Sequence, residues 1–126
     1  MARLGSDGLD VLVAHDAPAG VDLAGWRLPA TDQVRADEVR SLIASVMEAT
    51  RPQIVFHGHW HHSHDVELSW IDRTETEQAG ALTWRSTRVI GLGCDGDIDG
   101  GWLVLVLDPL GVRLPSVATR RLEVEP

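Results

Sequence analysis

Hydrophobic and polar positions along the chain change their period twice, and those changes divide it into elements. Asp10 to Ala14 is an unbroken apolar run behind a single acid, the pattern of a strand covered on both faces. Asp16 to Ala30 is rich in Pro, Gly and Asp and reads as a long loop, with Trp26 and Leu28 as anchors. Val39, Leu42, Ile43, Val46 and Met47 then recur at spacings of three and four, opposite Asp37, Arg40, Ser41 and Glu48. That spacing predicts an amphipathic helix over 33–49, capped by Thr31 or Asp32 and stopped by Pro52. Gln53-Ile54-Val55-Phe56 is a second short apolar run, so Asp10 to Phe56 forms a βαβ-like unit whose two strands should be parallel.

Beyond residue 64 the period falls to two. Val66-Glu67-Leu68-Ser69-Trp70 and Ala81-Leu82-Thr83-Trp84 alternate on either side of the polar span Asp72 to Gly80, which predicts an antiparallel hairpin. Arg88 to Leu92 and Trp102 to Leu107 follow as strands, and a last ribbon near Val112–Thr119 tolerates Pro115 only at a sheet edge. The expected fold is therefore mixed α/β in one domain spanning 1–126, a βαβ unit followed by antiparallel strands and a hairpin. The tryptophans at 70, 84 and 102 fall on these strands and are expected in the core.

Composition narrows the function classes. The net charge of −8, with no basic run longer than Arg120-Arg121, argues against a nucleic-acid surface. One cysteine, Cys94, forms no internal disulfide and points to a reducing, cytoplasmic setting. No apolar run approaches the ~20 residues of a membrane span, and the start of the chain lacks an apolar leader segment. The acidic turn Asp95-Gly96-Asp97-Ile98-Asp99-Gly100 opens like a calcium loop. Its twelfth position is Val106 rather than Glu, so it is read as a glycine-rich turn.

The candidate chemistry lies where the two parallel strands end. Five of the six histidines fall in Phe56-His57-Gly58-His59-Trp60-His61-His62-Ser63-His64, and the sixth, His15, follows the first strand. Parallel pairing puts both strand ends on one sheet edge, where α/β folds place ligands, and brings His15 within reach of His59. His59 and His61, two apart, point the same way only on a strand end or tight loop, which Gly58 would permit. Neutral imidazole suits Zn, Mn, Fe, Ni or Cu, so the residue type alone does not choose the metal. A solvated histidine-rich loop is the plainer reading of the same residues. Trp60, inside the loop, could wall one side of the site.

Together, His15-Asp16-Ala17-Pro18, the helix, Gly58-His59-Trp60-His61, Ile90-Gly91-Leu92-Gly93-Cys94-Asp95 and the final apolar strand resemble the C-terminal half of the calcineurin-like metallophosphoesterases, over about residues 10–108. The resemblance implies part of a sandwich of two mixed sheets flanked by helices, with a two-metal site at the sheet edges. It implies His15 and His59 on one divalent ion (Mn, Zn or Fe) and His61 on the other, with phosphate esters as substrate. His57, His62 and His64 have no fixed role in that pattern. The family's Asp-x-His and Gly-Asn-His motifs have no counterpart here, and the chain contains no asparagine. Three neutral imidazoles do not neutralise two divalent cations, and the bridging carboxylate that sets the metal spacing is missing. Two expectations follow from the resemblance: a half-enzyme completed by a chain carrying the N-terminal motifs, or an inactive metal-binding or interaction module. A third reading is an unrelated histidine-loop protein. A partial sandwich also predicts an exposed apolar patch, covered by self-association or by a partner.

Overall fold

The structure is a computed structural model that describes residues 8–23 and 28–93, with the backbone of 106–108 and 111–113. Strand β1 (Val11–Ala14) leads through a packed loop to helix α1 (Ala30–Thr50) and strand β2 (Ile54–His57). Strand β3 (His64–Ile71), the short helix α2 (Arg73–Ala79) and strand β4 (Trp84–Gly91) follow, then a small ribbon of β5 (Val106–Asp108) and β6 (Gly111–Arg113). The four longer-range strands form one sheet in the order β1-β2-β4-β3. β1, β2 and β4 run parallel, and β3 runs antiparallel to β4. The fold is thus mixed α/β, with the βαβ unit that the periodicity predicts, but the antiparallel partner of β3 is β4, which shares only Trp84 with the hairpin strand expected at Ala81–Trp84 and takes in most of the separate strand expected at Arg88–Leu92. β4 enters between β2 and β3, which sequence order does not suggest.

Both faces of β2 are buried because it is flanked on each side and apolar on each face. Val55 and Val89, with Leu12 packed alongside, meet Met47 of α1, the loop residues Ala17, Val21 and Leu23, and Trp60 and Trp70. On the alternate positions Ile54, Phe56 and Ile90 form a second cluster with Val11 and Leu92. Arg40 fastens the long loop to the helix, its Nη2 donating to the Val21 carbonyl at 2.5 Å and to that of Pro18 at 3.4 Å.

Several expectations are corrected. β1 is an edge strand among the described residues, and Val13 is 75% exposed instead of covered. α1 begins at Ala30 behind Pro29, which offers no capping side chain, and Asp32 lies inside the first turn. The helix ends at Arg51 in the left-handed region (φ 50°), whose N–H reaches the Met47 carbonyl at 2.7 Å. Of its five periodic apolar residues, Met47 is buried and Ile43 half-buried, whereas Val39, Leu42 and Val46 are exposed. The helix is rotated so that the half-buried Ala36, Arg40 and Ile43 share the inner side with Met47.

The polar span before Trp84 is a helix rather than a plain turn. Asp72 caps α2 by accepting the Glu75 N–H at 3.0 Å, and Gly80 ends it at φ 68°. Asp72 also accepts from Arg85 Nε at 2.5 Å, and Arg85 binds Glu75. Trp70 is in the core, donating to Thr87 Oγ1 at 3.0 Å, but Trp84 is 61% exposed. Trp26, Cys94, the acidic turn at 95–100 and most of the strand expected at 102–107 lie outside the described residues, as does most of the ribbon expected at 112–119.

Candidate metal centre at the parallel strand ends

The ladder between β1 and β2 runs in register from Val11↔Ile54 to Ala14↔His57. It continues one step further, with the Gly58 N–H donating to the His15 carbonyl at 3.2 Å. That extra bond carries both histidine-bearing ends off the sheet together. The rings of His15 and His59 lie with centroids 4.7 Å apart, tilted by 53°. Two imidazoles on one tetrahedral ion, with metal–nitrogen distances of ~2.0–2.1 Å, have centroids about 5 Å apart. The observed separation fits two ligands of one ion, and both rings are exposed.

The loop turns in a way the sequence does not announce. Gly58 does not use the left-handed region, and a Cβ there would meet nothing within 4 Å. The positive φ values fall instead on His59 (68°) and His61 (53°). Non-glycine residues enter this region at a cost of roughly 1–2 kcal/mol each, so the surrounding structure must hold them there.

A buried carboxylate supplies part of that hold. Asp16, 3% exposed, accepts the Ala17 N–H at 2.6 Å and the indole N–H of Trp60 on the same oxygen. Trp60 is buried and meets the His59 ring edge-on, with centroids 5.6 Å apart. The Arg40 guanidinium lies 6.0 Å from the centre of the indole. Asp16 and Trp60 each adjoin one of the paired histidines, so their hydrogen bond ties the two strand ends together. Trp60 is a wall of the site, as its place in the loop suggests. Asp16 is not signalled by any spacing in the sequence.

His61 is exposed and does not join the other two: among the described residues no three His, Cys, Asp or Glu side chains form a group that could hold a metal ion. A second pair of histidines forms instead. His57 Nε2 and His64 Nε2 lie 2.9 Å apart, and His57 Nδ1 is 3.0 Å from the Gly58 carbonyl. A carbonyl only accepts, so His57 carries its proton on Nδ1 and presents a lone pair at Nε2, to which His64 Nε2–H donates. Burial lowers the pKa of His57, opposed by the Gly58 carbonyl and the Asp16 carboxylate and assisted by Arg40. Burial likewise lowers that of His64, assisted by His57 and His62 and opposed by the His62 carbonyl and Asp65. His62 stands beside His64, with ring centroids 5.9 Å apart.

Among the described residues no helix is long and apolar enough to cross a membrane. No family model, no curated protein and no solved structure matches the chain.

Proposed function

We propose that this chain supplies histidine ligands to a metal-dependent phosphoesterase centre, with His15 and His59 sharing one divalent ion and His61 serving the neighbouring position. The observation that carries the reading is the 4.7 Å approach of the His15 and His59 rings at the ends of adjacent parallel strands. An ion held there would act as a Lewis acid on a phosphoryl oxygen and lower the pKa of bound water. Asp16 and Trp60 keep the two imidazoles in place, and the carboxylate and asparagine ligands come from polypeptide beyond these 126 residues. Manganese, zinc and iron all suit the donor set.

The alternative is a catalytically inactive metal-binding or interaction module of the same descent. It is favoured by the exposed position of His61, apart from the His15–His59 pair.

Hydrolysis of an aryl phosphodiester in excess Mn separates the two. The 126 residues alone are expected to be inactive. Adding a polypeptide that carries the Asp-x-His and Gly-Asn-His motifs should restore turnover, and His59→Ala should abolish it again. No turnover with any such polypeptide would favour the inactive module. Full activity from the chain alone would overturn the half-enzyme reading.

A further inference from the structure

We propose a second transition-metal site, formed by the Nε2 atoms of His57 and His64 across Gly91, with water completing its coordination. It uses none of the residues assigned above to the phosphoesterase centre and stands independently of that reading.

The site is built by strand order. His57 on β2 and His64 on β3 are both register partners of Gly91 on the intervening β4. Residues in register share a face of the sheet, and the middle position carries no side chain, so the outer two rings meet above it. A Cβ on Gly91 would lie 2.4 Å from His64 Cε1, 2.6 Å from Nδ1 and 2.9 Å from Nε2. The His64 ring thus occupies the space that any larger residue at 91 would take.

The second argument is the orientation of the nitrogens. Metal-bound imidazoles usually donate their other ring N–H to a carbonyl or carboxylate, which fixes the tautomer and aims the lone pair. His57 has that arrangement, with Nδ1 on the Gly58 carbonyl at 3.0 Å and Nε2 directed at His64. In His64 the Nδ1 atom is buried and lacks a hydrogen-bond partner, an unfavourable arrangement for a polar atom. When an ion takes the Nε2 position of His64, the ring's single proton moves to Nδ1. It then reaches toward the His62 carbonyl, whose nearness already favours a proton on this ring. The ion therefore gives the orphaned nitrogen a role that the metal-free pair lacks, and no net proton is released from the two rings.

Spacing agrees with this chemistry. Nitrogens on a tetrahedral zinc ion at ~2.0–2.1 Å are about 3.3 Å apart, so the 2.9 Å contact opens by roughly half an ångström. The His57 and His64 centroids, 4.8 Å apart, are already at a separation suited to one ion. His62, with its ring 5.9 Å from that of His64, stands outside this pair, and water completes the coordination.

The test is titration of the metal-free full chain with Zn(II), read by ion stoichiometry and by the imidazole 15N resonances. The His57 and His64 Nε2 resonances should move to metal-bound positions, with the His64 proton relocated to Nδ1. His64→Ala should remove one bound ion per chain while leaving the ion that His59→Ala removes. Loss of an ion on His64→Ala but not on His59→Ala would support this site and sink the His15–His59 reading. If His64→Ala fails to fold, the 15N spectra of the unaltered chain still decide. His57 and His64 resonances unmoved at saturating Zn(II) would overturn the proposal, and so would a stoichiometry indifferent to His64→Ala in a folded variant.

Discussion

At the scale of single residues, the His15–His59 pair is braced by a buried carboxylate. Asp16 accepts from Ala17 and Trp60 with one oxygen, and Trp60 braces His59. Asp16→Ala leaves two buried donors unpaired and should cost about 2–4 kcal/mol in urea unfolding, each orphan being worth about 1–3 kcal/mol. Asp16→Asn keeps an acceptor oxygen at the same place and should lose less than half of that. Equal losses in the two variants would show that the hydrogen bonds are not what matters. The pairing of His15 with His59 is legible from the chain, since two apolar runs ending in histidine and joined by a helix imply parallel strands with ends side by side. Asp16 is not legible, because its partner is 44 positions away and a single polar contact leaves no periodic trace. The His57–His64 pair is hidden for a related reason: it depends on a glycine in a third strand, and sequence spacing carries no register.

At the scale of elements, α1 shows what amphipathic spacing does and does not fix. The existence and length of the helix follow from its pattern, but the pattern is broad enough to accommodate more than one rotation about the axis. Arg40 decides between them by reaching the Pro18 and Val21 carbonyls, which turns Met47 inward and leaves Leu42 at 65% exposure. Met47→Ala should therefore cost about 2–4 kcal/mol, and Leu42→Ala should change stability by no more than about 0.5 kcal/mol. Chemical denaturation of both variants checks the assignment, and a reversed order would place the helix in the other rotation. α2 escapes sequence reading because its seven residues, six of them polar and the last an alanine, carry no apolar face. Its signals are only the Asp72 cap and Gly80, which also occur in turns. Val39, Leu42 and Val46 are exposed along the outer side of α1.

At the scale of the whole molecule, pH should act on the sheet through its paired histidines. Both His57 and His64 titrate below the ordinary 6.5, burial being the larger cause in each. Well above pH 6.5 both are neutral whether folded or unfolded and cost nothing. As pH falls below that value the unfolded chain takes up protons that the folded chain resists, so stability declines. Asp72 adds to the loss at lower pH, since the Glu75 N–H and Arg85 hold its carboxyl below its ordinary 3.8. Urea midpoints should fall from pH 7.5 to pH 5, and midpoints that rise over that range would contradict the neutral pair. The sheet is also closed by a strand out of sequence order: β4 lies between β2 and β3, pairing parallel with the first and antiparallel with the second. His57 and His64 are seven residues apart in sequence, yet they meet across another strand rather than across their own loop. Their contact therefore needs β2, β4 and β3 together in one register, and a shift of any of the three parts the rings.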